Sequence, residues 1–338
     1  MTRNGILAGG NFIIDHVKLI DAWPQQDMLA TILSETSSNG GGPFNVLKDL
    51  SAMQVGYPLS AAGLVGEDAN GAWIIEDCLR AGIDIRQLHR TCRAPTSYTD
   101  AMTVSGTGRR TFFHQRGANA LLSAEHFEFG RSSAKLFHLG YLLLLDEMDR
   151  LDAEGSTTAA KVLKEAKQAG LVTSVDVVST AHPQFRQIVE ASLPYTDHLV
   201  LNEIEAGQVC GVDLRPAGQI DLEASVSAAR MLLERGVQRE VVIHFVEGAV
   251  CVNRKGSVVT QGSLRLPEGY VVGATGAGDA FAAGYLHGVH EDWPTAEGLM
   301  LAVAAAAQCL SDATPSRGLR PVQEALALLN QLGCRPLC

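Results

Sequence analysis

The sequence predicts an α/β protein: a mainly parallel central sheet with helices on both faces, and a small β-rich lid. Two observations carry this. From about residue 159 onward, amphipathic helical stretches alternate with short apolar runs of strand length, the pattern of parallel strands joined by helical crossovers. Two earlier segments, 16–42 and 96–119, break that alternation with turn-rich, strand-like sequence. At 338 residues, 46% hydrophobic and 19% charged, the chain can bury a sizeable core. One domain over 1–338 is expected, with its lid formed by about 16–40 and 96–116.

The elements follow in order. MTRNGILAGGNFIID enters a strand at once, and Asp15 is expected to close it. Residues 16–42 have no long helical period. SAAGLVGEDANGAWIIEDCLRAGID (60–84) then reads as a strand, a loop and a helix of the main body. In 96–119, TDAMTV alternates, SGTG turns and RTFFHQ returns, which makes a hairpin. Ala159–Gln168 has helical spacing and ends just before Gly170, a good residue to follow a helix. LVTSVDVV is a buried strand, DHLVL (197–201) another, and a helix starts at Glu203. An amphipathic helix over Leu222–Arg235 closes at Gly236, before the strand EVVIHF. AVCVNRKGSVVTQG is a hairpin turning at Arg254, Lys255 and Gly256.

Composition excludes several classes. Asp and Glu exceed Lys and Arg by 37 to 27, a formal charge of −10, which argues against a general nucleic-acid binder. Seven scattered cysteines (Cys78, Cys92, Cys210, Cys251, Cys309, Cys334, Cys338) fit reduced thiols better than a disulfide framework. Cys334 and Cys338 lie close together, but no further zinc ligands accompany them. The first residues show no signal-peptide core, and LFHLGYLLLLD is too short to span a bilayer. A soluble, cytoplasmic protein without a membrane partner is expected.

The most informative segment is VVGATGAGDAFAAGYLHG (271–288). Gly273, Gly276 and Gly278 lead into Asp279 and then an apolar helical stretch. Glycines let backbone amides approach a ligand, and a helix N-terminus favours an anion such as phosphate. A carboxylate there would repel phosphate, unless its partner is a hydroxyl about to attack the phosphorus. A tight turn with an N-capping Asp explains the same residues more simply. The segment has no Lys-Ser/Thr ending, so it is not a P-loop.

Two further motifs accompany it. In NEIE, Asn202 and Glu205 follow a strand; they suit a capping box. A carboxylate beyond a strand's carboxyl end can also hold Mg²⁺ through water, and the two roles are compatible. SSNGGGPFNV (37–46) places Gly41 and Gly42 before Asn45. With Asp15 these residues could recognise a polyhydroxylated ligand, or form a glycine turn with a capping Asn.

Taken together, these motifs resemble the ribokinase-like carbohydrate kinases of the PfkB family over essentially the full length. GATGAGDAFAAG is similar to that family's C-terminal signature, and SNGGGPFNV with GLVGEDANG to its N-terminal one. NEIE and GANALLS (117–123) match in order and spacing. The resemblance implies a three-layer α/β/α fold and phosphotransfer from ATP, with Mg²⁺, to a hydroxymethyl group of a sugar. It implies Asp279 as catalytic base, with the amides of Ala277, Gly278 and Asp279, in the turn from Thr275 and Gly276, as an anion hole. Asn202 and Glu205 would organise Mg²⁺. Asp15, Gly41, Gly42 and Asn45 would hold the sugar, with Asp146 as a looser match, and adenine would lie near 300–318.

Three departures qualify this. Gly273 stands where relatives commonly have Asp or Asn, in several of them an acidic side chain that helps hold a monovalent cation, which puts such a requirement in doubt. His244 replaces a Thr of the nucleotide turn and reads as structural, and Val303 replaces an Asn near adenine. Arg109, Arg110, His114, Gln115 and Arg116 of the lid could reach a phosphorylated sugar or be solvated charges. A nucleoside kinase and a silent binding homologue stay open as alternatives. Exposed lid edges predict a homodimer.

Overall fold

The computed structural model describes residues 3–107 and 109–337. Gly108 of the expected SGTG turn and Cys338 lie outside them. The strands are β1 (Ile6–Gly10), β2 (Ile13–Ile20), β3 (Ile32–Gly40), β4 (Leu59–Gly66), β5 (Asp84–Thr91), β6 (Tyr98–Val104) and β7 (Arg110–Gln115). They continue as β8 (Leu136–Leu142), β9 (Val172–Val177), β10 (His198–Asn202), β11 (Glu240–Phe245), β12 (Gly248–Asn253) and β13 (Val258–Gly262). The helices are α1 (Gly42–Ala52), α2 (Ala69–Arg80), α3 (Asp146–Asp149), α4 (Thr158–Gln168) and α5 (Phe185–Ser192). After them come α6 (Glu203–Cys210), α7 (Leu222–Glu234), α8 (Ala277–His290), α9 (Thr295–Cys309) and α10 (Val322–Leu332).

Nine strands form the central sheet in the order β13-β12-β11-β10-β9-β8-β1-β4-β5. β5 through β11 pair in parallel, and the expected hairpin β12–β13 adds an antiparallel edge. Alternation along each strand sends neighbours to opposite faces. In β11, Val242 joins the core under α1, α8, α9 and α10, while Val241 and Ile243 join the core under α4 to α7. Both cores are closed, which gives the three layers. α8 and α9 pack very closely: a Cβ on Gly284 would lie 2.7 Å from Ala302 Cα. Small residues in AFAAGYLHG therefore serve helix contact, and no ligand is needed to explain them.

The second sheet has the order β3-β2-β6-β7. The two excursions meet where β2 and β6 pair in parallel, from Ile14 opposite Tyr98 to Ile20 opposite Val104. One expectation needs correction. Asp15 does not close the first strand; it lies within β2 of the small sheet. The cause is Gly10, which has φ +125° and presses on β8, so that a Cβ there would lie 1.8 Å from Gly140 O. The chain leaves the large sheet at that point and re-forms a strand three residues later. Among the described residues, no helix is long and apolar enough to cross a membrane.

Gly10→Ala should therefore cost about 3 kcal/mol or more, or abolish soluble folding. Gly82→Ala, also at positive φ but with nothing within 4 Å of its Cβ, should cost about 1 kcal/mol. Urea denaturation of the two variants checks the contrast.

Candidate active site

Four neighbouring parallel strands finish along one edge of the central sheet. Tyr141 lies near the end of β8, Asp176 near the end of β9, Asn202 ends β10, and His244 is near the end of β11. With Gly276, Gly278 and Asp279 these residues line a cleft of about 210 Å³. It lies beyond the carboxyl ends of the strands, where open α/β sheets collect ligands.

Helix α8 enters this cleft by its N-terminus. Gly276 caps it at φ +80°, and a Cβ there would lie 2.5 Å from Pro315, so only glycine fits. The helical ladder begins with Ala280 N–H to Gly276 O, which leaves the Gly278 and Asp279 amides without intrahelical partners. Asp279 is the third helical residue, and no side chain caps the helix. The capping Asp that the segment alone allowed is therefore not what folds. Instead the carboxylate turns to other elements: Oδ1 accepts from Tyr141 Oη at 2.5 Å and Oδ2 from Asn45 Nδ2 at 2.7 Å. Burial raises Asp279 to about 6, against the lowering effect of those two bonds.

The glycine-rich loop before α1 supplies the opposite wall. Gly41 caps α1 and Gly42 begins it; Asn45 lies one turn on. Asn45 Oδ1 accepts from Asn39 Nδ2 at 2.7 Å, so β3 of the lid holds the residue that holds Asp279. Asp15 lies on β2 with its carboxyl group against Gly40, whose Cβ would lie 2.5 Å from it; burial first, then the charge of Asp279, raises it to about 7. Asp15, Gly41, Gly42, Asn45 and Asp279 are thus brought together. No hydrogen bond ties Asp146 to them: it begins α3, about half exposed, and pairs with Arg116 of the lid.

Asn202 and Glu205 form the capping box of α6. Asn202 Oδ1 accepts from the Glu205 amide and Glu205 Oε2 from the Asn202 amide, both at 2.9 Å. Glu205 Oε1 accepts from Ser179 Oγ at 2.8 Å. Asp176 is less committed; its Oδ1 accepts only from the Val177 amide. Burial first, then their mutual repulsion, pushes Asp176 well up, and burial raises Glu205. Two buried carboxylates facing one cleft are a fitting charge for a divalent cation. Among the described residues no three His, Cys, Asp or Glu side chains make a metal cage. Asp176 and Glu205 on the cleft wall fit Mg²⁺, which takes one or two carboxylates and completes its shell with phosphate and water.

Of the lid cations, Arg110 reaches the site: its guanidinium donates to Thr275 Oγ1, at the head of the glycine turn. His244 is buried enough to fall to about 4 and lies beside the cleft, 3.4 Å from where a Gly278 Cβ would be. Val303 packs into the core of α9. At Gly273 a Cβ would lie 2.8 Å from Asp312 O, so the acidic residue of relatives has no room here. Sequence reading missed Tyr141, Asp176, Ser179 and Asn39. A carboxylate near the end of the apolar run LVTSVDVV was a usable signal for Asp176; LFHLGYLLLL offered none for Tyr141.

A buried carboxylate at a helix N-terminus, amides without intrahelical partners in the same turn and two more carboxylates lining the cleft are groups that phosphoryl transfer can use. The chain belongs to the pfkB family of carbohydrate kinases, whose model matches residues 9–320. It is 26% identical over 282 residues to an ATP-dependent ribose-1-phosphate kinase from Halopiger xanaduensis, covering 83% of each chain. It is 26% identical over 245 residues to adenosine kinase of Saccharomyces cerevisiae, covering 71% of this chain and 67% of that protein. Among solved structures, Arabidopsis thaliana ribokinase complexed with ribose and ATP superposes with a TM-score of 0.78 at 22% identity, covering 97% of this chain and 99% of that one. Ribokinase from Thermotoga maritima gives 0.79 at 20% identity, with the same coverage. These likenesses establish a ribokinase-like fold.

The raised carboxylates predict a pH dependence of stability. Asp15 is near 3.8 when unfolded and about 7 when folded. The folded state therefore binds the extra proton between those values, and stability is lost as pH rises through them. Asp15→Asn has no such proton. Its stability relative to wild type should increase from pH 5 to pH 8, as read by chemical denaturation at the two pH values.

Proposed function

We propose that the protein transfers the γ-phosphoryl group of ATP to a hydroxymethyl group of a sugar, with Asp279 as general base. The observation that carries this is the position of Asp279: its carboxylate is held by Asn45 and Tyr141 in the first turn of α8, whose Gly278 and Asp279 amides have no intrahelical partners. The acceptor hydroxyl gives its proton to Asp279 as its oxygen bonds to phosphorus, and the bond to the departing ADP oxygen breaks. Gly278 and Asp279 amides, in the turn from Thr275, Gly276 and Ala277, stabilise the charge on the transferring group. Arg110 stands at that turn and adds the positive charge that the cleft's own lining lacks. Asp176 would hold Mg²⁺, with Glu205 and Asn202 ordering its waters, and a divalent ion there would supply positive charge for the phosphates. Asp15, Gly41, Gly42 and Asn45 hold the acceptor, with Asp146 and Arg116 at its rim.

Names of relatives support a pentose-like acceptor, since they include ribokinase and ribose-1-phosphate kinase. A nucleoside acceptor is the second reading, favoured by the likeness to adenosine kinases. Free cysteines among the described residues support a cytoplasmic location. The lid supports a homodimer: Trp23, Leu29, Phe112 and Phe113 are all exposed on it, and Trp23 stacks on Phe113 at 6.1 Å. So many large apolar groups on one small sheet mark a surface that is covered in use.

Asp279→Asn should reduce turnover about 10²–10⁴-fold while ATP affinity stays near wild type. An ADP-release assay across sugars, sugar phosphates and nucleosides, with this variant as the blank, reads the loss; wild-type-like turnover in the variant would refute the assignment. Light scattering should give twice the chain mass for wild type and the single mass for Phe112→Asp. A monomeric wild type would count against the lid interface.

A further inference from the structure

The base proposed above is buried, which disfavours its ionised form, and other acids surround it. Asp15 approaches it from β2, Asp49 from α1, Asp176 from β9 and Glu205 from α6. Cys309 of α9 stays a neutral thiol under burial and these charges, and His244 of β11 is neutral as well. Arg110, the lid cation at the glycine turn, binds Thr275. Two neutral donors remain. Asn45 serves Oδ2, as its position in the family's glycine motif would suggest; Tyr141 serves Oδ1, and no motif accounts for it.

We propose that Tyr141 is a positioning residue for phosphoryl transfer: its phenol orients Asp279 and keeps the carboxylate ionised at neutral pH. The proposal rests on the reading of Asp279 as base. Geometry makes the phenol a dependable donor. The Tyr141 backbone N–H donates to Asn11 Oδ1 at 2.5 Å, which fixes the residue where β8 meets the cleft. Its ring fills the space that a side chain on residue 42 would need, since a Gly42 Cβ would lie 2.8 Å from it. Gly42 thus makes room for the ring, a use beyond backbone approach to a sugar. Burial and the surrounding carboxylates push the phenol well above its ordinary value, so it donates throughout the working pH range. A carboxylate oxygen has more than one acceptor lobe, so the acceptor hydroxyl can bind Asp279 while Tyr141 stays bonded.

A residue that merely filled space would alter rate without moving a titration. Loss of a donor to the ionised form raises a carboxyl group's pKa. In wild type, kcat/KM should fall below a midpoint near 6, where Asp279 gains its proton. Tyr141→Phe should move that acid limb upward by about half a unit or more, with much of the lost rate recovered at pH 9. Tyr141→Met, which fills the slot but cannot donate, should move it in the same direction. Acid limbs that coincide with wild type in both variants would overturn the proposal, as would a loss that high pH does not recover. If wild type itself shows no Asp279-dependent turnover with any acceptor, the base assignment fails instead, so the two failures are distinct.

Discussion

The site depends on holding one carboxylate, Asp279, at a helix N-terminus while burying it among other acids. Asp279 sits in the first turn of α8, where unpaired amides and the helix dipole favour negative charge. Burial acts against it, and its charge in turn helps to raise Asp15, Asp49, Asp176 and Glu205 around it. Two neutral hydrogen bonds, from Asn45 and Tyr141, oppose that pressure. The resulting value of about 6 lies close to where a base works best, ionised at neutral pH yet basic enough to take a proton. Removing either donor would take away a bond that lowers Asp279.

The fold supplies these groups from separate places. Tyr141, Asp176, Asn202 and His244 come from the ends of four adjacent strands, and their spacing is that of the sheet itself. Asn45 comes from α1, which packs beneath α8 in one core, and Asp15 comes from the lid. The chain departs from the large sheet at Gly10 and returns at Leu59, so the lid strands β2 and β3 are an insertion between two paired strands. Asn39 of β3 then binds Asn45, and Arg110 of β7 binds Thr275. Lid position is therefore linked to both halves of the site, the proposed base and the glycine turn before α8. Closure that excludes water would act on both at once.

Much of this was legible in the sequence because its signals are local. Glycine spacing exposed the turn before α8, and the helix–strand alternation after residue 159 exposed the parallel sheet. The TDAMTV and RTFFHQ runs exposed the hairpin β6–β7. What escaped depended on contacts between distant segments. Asp15 was expected at the end of a core strand, but the approach of Gly10 to Gly140 diverts the chain into the lid. Tyr141 lies in an apolar run whose pattern says only that the strand is buried. Its partners Asn11, Gly42 and Asp279 are more than 90 residues away in sequence. The capping box at Asn202 was visible, and it is real; the less constrained Asp176 beside it was the carboxylate to notice.

The most direct test of the central claim is a crystal structure with MgADP, aluminium fluoride and an acceptor. The account predicts the fluoride group against the Gly278 and Asp279 amides, with the acceptor oxygen between it and the Asp279 carboxylate, and Tyr141 still bonded to that carboxylate. A fluoride group seated away from these amides, or an acceptor oxygen out of reach of Asp279, would contradict it.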